Sequence, residues 1–200
     1  MGHKFAEIAF TANVRQVQTE LGSRAGYAKL EGGLERNRQF GEPEADFIAR
    51  RDSFYMATVG ETGWPYVQHR GGPPGFLRVV GPTTIGFADF RGNRQYVSVG
   101  NLAANDRVSL FLMDYPNRAR LKILGRARIV GAGEPVVLDQ LAMPEHRAAI
   151  ERGILIDVEA FDWNCSQHIT QRYWQSEVET VVASLLRRIA ALETRLERTE

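Results

Sequence analysis

The 200-residue chain is poor in several things, and each scarcity removes a class of function. It has one cysteine, Cys165, so no disulfide framework can form within it, and the lone thiol suits a reducing compartment. No apolar run approaches the ~20 residues that a bilayer-spanning helix needs. The opening Met1-Gly2-His3-Lys4-Phe5 lacks the apolar stretch and small-residue cleavage site of a secretory leader. A cytoplasmic location is therefore expected. Charge of one sign is also missing: 25 Lys+Arg against 24 Asp+Glu leave a net +1, too little for a general affinity for nucleic acid or anionic membrane. Any anion site has to be local. There is no 20–50-residue repeat and no low-complexity tract.

What remains is ordinary globular material, 44% hydrophobic and 24% charged, enough for one good-sized domain with appended helices. Residues 1–40 are polar, with a weakly helical stretch around Thr11–Leu21, after which Gly22, Gly26, Gly32 and Gly33 should break any regular element. Pro43–Arg51 reads as a short helix, with proline at its start, acids in its first turn and arginines in its last. The pattern then becomes β-rich. Phe54–Val59 and Trp64–Arg70 form a hairpin about Gly60-Glu61-Thr62-Gly63, and Phe76–Val80 pairs with Thr83–Phe87. Gly92–Asn105 reads as mainly helix, followed by strands at Arg107–Met113 and Ala119–Val130. Further helical stretches fall near Val136–Leu141 and Pro144–Glu151, and one more strand at Ile154–Val158. Short antiparallel strands interrupted by one helix imply a small, mainly β barrel of six strands.

The last segment is the plainest helix. Val178, Val182, Leu185, Ile189, Leu192 and Leu196 are spaced 4, 3, 4, 3 and 4, a heptad seam. Such a stripe either packs on its own barrel or pairs with a second subunit. The expected organisation is an N-terminal extension over 1–43, a barrel domain over 44–172 and an amphipathic helix over 173–200.

The chemistry concentrates between Val67 and Ile129. Gln68-His69-Arg70-Gly71-Gly72-Pro73-Pro74-Gly75-Phe76-Leu77-Arg78 sets a guanidinium at a strand end beside a rigid, small-residue loop. That arrangement lets backbone N–H groups and a planar fork approach an anion, although most Arg-Gly loops are merely turns. Arg91-Gly92-Asn93-Arg94 falls where a strand gives way to a helix N-terminus. Free donors and the dipole favour negative charge there, and an arginine is electrostatically wrong unless an anion binds alongside. On the later strand Arg118, Arg120, Lys122, Arg126 and Arg128 tend to one face, with Gly125 marking a bend or bulge. A solvated strand face is the commoner meaning of that alternation; RNA binding would want exposed aromatics among the cations.

Taken in order, Gln68–Val79, Gly92-Asn93-Arg94, Asn101–Val108 and Leu124-Gly125-Arg126-Ala127 resemble the pyridoxamine 5'-phosphate oxidase-like FMN-binding family, over roughly residues 45–130. They are similar to a bacterial branch with an Arg-Gly-Xaa-Pro-Pro-Gly-Phe loop. Asn164-Cys165-Ser166-Gln167-His168-Ile169 also looks like a C-terminal motif of that branch. The resemblance implies a six-stranded antiparallel split β-barrel plus a C-terminal helix, working as a homodimer with two FMN sites at the subunit interface. It puts Arg70, Arg78 and Arg94 on the FMN phosphate, Phe87 and Ala88 along the ribityl chain or ring, and Asn93 in the phosphate loop. Gln68 and Arg120 join as cofactor-binding candidates. Gly72 departs from the pattern, standing where the branch commonly has an acid. The segment with which pyridoxal phosphate-forming members hold their substrate phosphate is absent from residues 150–200.

The implied activity is that of an FMN-dependent oxidoreductase acting on another small substrate. A non-catalytic flavin carrier or redox sensor, or a split barrel holding haem or a deazaflavin, are the alternatives. Cys165-Ser166-Gln167-His168 has a spacing open to metal, but without a second cysteine a structural zinc would need remote ligands. His69 is a candidate proton donor, against the commoner reading of a strand histidine. Trp163 and Trp174 could shield a flavin ring, though tryptophan near a barrel edge is more often core or interface.

Overall fold

The computed structural model describes residues 3–31, 36–143, 149–163 and 166–198, which fall into two compact units. The first comprises residues 1–113 and 120–165, the second 114–119 and 166–200.

The first unit is built on one antiparallel sheet of seven strands: β1 (Ser53–Val59), β2 (Pro65–Gly71), β3 (Arg78–Gly81), β4 (Thr84–Phe90), β5 (Arg107–Asp114), β6 (Ala119–Val130) and β7 (Ile150–Trp163). Their order is β2-β1-β5-β6-β7-β4-β3. The sheet is not closed, as a split barrel requires, and has seven strands rather than the six expected. The extra pairing comes from β7, which is 14 residues long where five were anticipated. It pairs with β6 over Leu121–Val130 and with β4 over Thr84–Phe90, so both its edges are filled. That pairing draws Ile150 and Glu151 into the strand and overrules a helix reaching Glu151; Pro144 to Ala148 lie outside the described residues.

Alternation along the strands makes the core. Phe54 and Met56 of β1, Ile85 and Phe87 of β4, Leu110 and Leu112 of β5, and Leu121 and Ile123 of β6 are buried. Phe54, Phe76 and Phe87 form an aromatic cluster with centroids 5.2 to 6.4 Å apart. The strand expected from Phe76 starts only at Arg78, because Phe76 and Leu77 turn inward after Gly75, whose φ of +83° favours glycine. Gly125 marks a register shift against β7, as its place in the cationic run suggested. A Cβ there would lie 2.6 Å from the carbonyl oxygen of Asp157.

Helices frame the sheet. α1 (Lys4–Ala9), α2 (Ala12–Glu20) and α3 (Arg24–Ala28) occupy the N-terminal stretch; Gly22, with φ +76°, separates α2 from α3 as expected, Gly26 does not interrupt α3, and Gly32 and Gly33 lie outside the described residues. α3 includes Gly26, and Arg24 holds Glu31 through two bonds of 2.6 and 2.8 Å, which closes the turn from outside. That pairing raises the Arg24 pKa and lowers that of Glu31, the shared hydrogen bond being the main cause in both. The stretch is moored to the end of β7: His3 Nε2 is 3.3 Å from Asp162, and the Phe161 N–H donates to the Asn37 carbonyl at 2.7 Å. α4 (Glu42–Ala49) begins with the Glu44 carboxylate accepting from the Gly41 N–H and ends with Arg50 and Arg51 donating to the carbonyls of Asp46 and Phe47. Trp163 packs edge-on against Phe47 and donates from Nε1 to Glu44 at 2.7 Å, so it serves this junction. α5 (Val97–Ala104) is pinned along one face by two side chains one turn apart. Ser98 Oγ donates to Gln68 Oε1, and Asn101 Nδ2 donates to Thr58 Oγ1, both at 2.9 Å. α6 (Pro135–Leu141) lays Leu138 and Leu141 over Gly86 and Gly153, where no side chain would fit.

In the second unit, Gln171 Nε2 donates to the Pro116 carbonyl at 2.9 Å and the Arg172 guanidinium lies 4.7 Å from the Tyr115 ring. α7 (Gln175–Glu197) then runs for 23 residues, started by Glu177 accepting from the Trp174 N–H. Among the described residues, no helix is long and apolar enough to cross a membrane.

Candidate functional site

The sheet edge at β2, the end of β4, the loop 91–96 and the start of α5 line a small open cleft of about 50 Å³. Gln68, Arg70, Asp89, Asn93, Arg94, Tyr96, Ser98 and Glu151 contribute its polar lining. The period-2 rule places these side chains. On β2, Tyr66, Gln68 and Arg70 share the more buried face, while Val67 and His69 are on the other. His69 accordingly packs against Tyr55, with ring centroids 5.6 Å apart, and turns away from the Gln68 and Arg70 face. On β4, Phe87 and Asp89 share the inner face, and Ala88 is buried on the face that Gly86 leaves to α6.

Arg70 is the centre of the arrangement. Its guanidinium lies 5.7 Å from the Phe87 ring centroid and donates from Nη1 to the buried Asp89. Arg152, from β7, approaches the other Asp89 oxygen at 3.4 Å and donates from Nη2 to Glu151 at 2.8 Å. The Nε atoms of Arg70 and Arg152 are nevertheless buried without a hydrogen-bond partner. Such orphaned donors are costly and uncommon in folded proteins. The 3.4 Å approach of Arg152 Nε to Asp89 is thus an ion pair by distance, without hydrogen-bond geometry.

A second chain of contacts closes the rim. Arg94 Nε donates to Tyr96 Oη at 3.1 Å, Tyr96 Oη donates to Glu151 at 3.2 Å, and Arg91 Nε lies 3.9 Å from the same carboxylate. The Tyr96 hydrogen bond is the main cause of a raised Arg94 pKa, with Glu151 adding to it. The Glu151 carboxyl is held below its ordinary range, chiefly by the hydrogen bond from Arg152. Arg94 and Tyr96 adopt left-handed backbone, φ 63° and 55°, which costs about 1–3 kcal/mol at each non-glycine position. That cost is compatible with a loop fixed by its surroundings. Asn93 Oδ1 accepts from the Gln95 N–H at 3.3 Å and shapes the same turn.

The helix after this loop begins at Val97 and not at Gly92, because the left-handed residues 94 and 96 cannot continue into a helical turn. Arg94 therefore precedes the first turn, and its acidic complement in the chain is Glu151, through Tyr96.

Gln68, Arg70, Asn93 and Arg94 are thus brought together. Phe87 and Ala88 support the cleft from the core without lining it. Arg78 and Arg120 are placed elsewhere: Arg78 donates to the Gln140 and Ala142 carbonyls at the end of α6, at 2.8 and 3.0 Å. Arg120 lies 6.0 Å from the Phe111 ring, with its own Nε buried and unpartnered. The other strand cations have acids beside them, Lys122 with Asp162, Arg126 with Asp106 and Glu159, and Arg128 with Glu134. Asn164 and Cys165 lie outside the described residues. Gly72 has a packing reason for being glycine: a Cβ would come within 2.7 Å of the Phe76 ring.

Asp89, Tyr96, Ser98, Glu151 and Arg152 are members that the sequence reading passed over. Asp89 had a signal, a lone acid two residues after Phe87 on an otherwise apolar strand. Arg152 had none, since its approach depends on the pairing of Asp89 with Arg152 across β4 and β7.

The pyridoxamine 5'-phosphate oxidase family model matches residues 41–152, more than half of the chain. The chain belongs to that family. Among solved structures, HupZ of Group A Streptococcus is similar in fold, with 16% identity, a TM-score of 0.50 and coverage of 67% of this chain and 99% of that one. A protein related to general stress protein 26 from Clostridium acetobutylicum has 13% identity and a TM-score of 0.46, covering 68% of this chain and 94% of its own. An FMN-binding protein from Syntrophomonas wolfei has 14% identity and a TM-score of 0.45, with 76% and 95% covered. No curated protein matches the chain.

Proposed function

We propose that this family member is an FMN-dependent oxidoreductase whose cleft holds the FMN phosphate. The observation that carries the reading is a local imbalance of charge. Arg70, Arg91, Arg94 and Arg152 gather around two carboxylates, Asp89 and Glu151, leaving two positive charges and two buried guanidinium N–H groups unspent. A phosphate monoester carries roughly −1.5 to −2 charges and three acceptor oxygens. Charge-assisted bonds from guanidinium to phosphate are about twice as strong as neutral ones. The donor set therefore fits the group, and Arg70 and Arg94 would supply its main contacts.

When bound, the flavin supplies hydride or electron exchange with a small substrate or donor, and the protein supplies binding and orientation. Asp89 holds the Arg70 fork in one orientation, and the Ser98 hydroxyl fixes the Gln68 amide. Pyridoxamine 5'-phosphate itself is not the substrate in this reading, because residues 150–200 lack the segment with which the phosphate-forming enzymes hold it. The working unit is a homodimer, which would give Arg120, outside the cleft of its own chain, a flavin of the second copy to approach.

The test is an FMN titration read by flavin fluorescence, with inorganic phosphate as competitor and with sedimentation to give the mass. Saturable uptake of FMN, weakened by phosphate, is expected of a dimeric species. A protein that takes up no FMN would end the flavin reading, and a monomer that binds it fully would end the shared site.

A further inference from the structure

The whole six-residue seam of α7 is solvent-exposed in the single chain, each residue between 46% and 69%. Val181 and Leu186 beside it are 59% and 61% exposed. A helix of this length, roughly 35 Å, is marginal in water unless its apolar face is covered. The question is what covers it, and the residues flanking the seam answer.

We infer that α7 pairs in parallel, in register, with α7 of a second copy of this chain, forming a short two-stranded coiled coil. In heptad terms Val182, Ile189 and Leu196 take the a positions and Val178, Leu185 and Leu192 the d positions. The four central positions, Val182 and Ile189 at a with Leu185 and Leu192 at d, have the β-branched and leucine pattern that favours two parallel strands. In that arrangement each g residue meets the e residue five places further on in the partner helix. Arg188 then meets Glu193, and Val181 meets Leu186, each pair twice by symmetry. Opposite charges face each other, and the exposed apolar pair widens the buried seam.

The antiparallel alternative fails on the same residues. The only antiparallel register that keeps all six seam residues paired brings Arg188 against Arg188 and Glu179 against Glu193. Both are like-charge contacts, and Val181 is left beside Arg195. The sequence thus specifies direction as well as self-recognition, by attraction in one arrangement and repulsion in the other. The pairing involves α7 alone and stands whether or not the cleft binds a flavin.

Disulfide trapping in the full-length chain, with Cys165 replaced by serine, tests both points. Val178→Cys and Leu192→Cys should each cross-link to itself under mild oxidation, and Ser184→Cys, on the outer face of the helix, should not. A mixture of Val178→Cys with Leu196→Cys, the two positions that the antiparallel register brings face to face, in which 178 joins 196 in preference to its own kind would overturn the parallel direction. Cross-linking no greater than that of Ser184→Cys would overturn the pairing itself, and trimers on sedimentation would overturn two strands. In the Val178→Cys background, Glu193→Arg should lower the trapped fraction about fivefold, two exposed charge pairs having changed sign. Adding Arg188→Glu should restore it. Failure of that rescue would remove the charge argument, and because all these positions are exposed, circular dichroism should show unchanged helix and sheet.

Discussion

Two regions of this protein are rich in arginine, and they are built differently. Along β6, Lys122, Arg126 and Arg128 stand on one strand face, and each has at least one carboxylate within 2.9 Å. In the cleft, arginines from β2, β7 and the 91–96 loop converge on only two carboxylates, and two Nε atoms are buried without partners. The strand run is the more conspicuous in the sequence, but its charge is spent on neighbouring acids. The cleft is less conspicuous and retains charge and donors. Density of basic residues along a chain is therefore a poor guide to where positive charge is left unpaired; the number of acids folded against them decides.

Substitutions can break or sharpen that contrast. The largest effect is expected from Arg70→Ala, which leaves the buried Asp89 with Arg152 alone. A loss of about 3 kcal/mol in urea unfolding should follow, the low end for stripping one partner from a buried ion pair. The double variant Arg70→Ala, Asp89→Ala should recover part of it, and strict additivity would show that the two side chains are not coupled. Arg78→Ala comes next, with about 1–2 kcal/mol lost as two carbonyls of α6 lose a charged donor. Its FMN affinity should be unchanged; a weakened affinity would return Arg78 to the phosphate.

Arg94→Ala should behave the opposite way. Thermal stability should stay as it is while FMN binds about tenfold more weakly, the loss of one charged contact to an anion. Glu151 offers a pH test. Its folded pKa is depressed, so its stabilising contribution is complete above the ordinary glutamate range and disappears as the pH falls through the folded value. The stability gap between the parent chain and Glu151→Gln, measured by thermal melts, should be widest near neutrality and close on acidification. A gap independent of pH would mean that the carboxylate charge does not hold the rim. The smallest effect belongs to the strand: Arg128→Ala removes an exposed pair and should change stability by no more than about 0.5 kcal/mol.

Much of the scaffold was legible because local chemistry fixed it. Gly60 to Gly63 mark the turn that joins β1 to β2, Gly125 marks the break in β6, and the 4-3 spacing marks α7. Seven strand segments were legible although the barrel was read as six-stranded; the length of β7 was not, since it owes that length to edges on two other strands. Of the N-terminal helices, α2 was legible in the stretch around Thr11–Leu21, while α1 and α3 were not, for a related reason: α3 closes through Arg24 and Glu31, and α1 through contacts with β6 and β7, including the Lys122 ammonium 4.6 Å from the Phe5 ring. Part of the cleft could be read from the sequence. Gln68, Arg70, Asn93 and Arg94 lie in two runs that strand alternation and loop chemistry single out, whereas Glu151 and Arg152 reach it only through the register of β4 against β7.

The glycine at position 72 carries a consequence for how such a sequence can change over time. With the Phe76 ring seated over it, even a methyl group at 72 meets that ring at 2.7 Å, so a side chain there requires the ring to move. The ring must shrink or swing first, and a smaller residue at 76 would leave a void beside Phe54 and Phe87 until position 72 was filled. Each step is unfavourable without the other. Positions 72 and 76 thus form one unit in this chain: what stands at one sets the room left for the other.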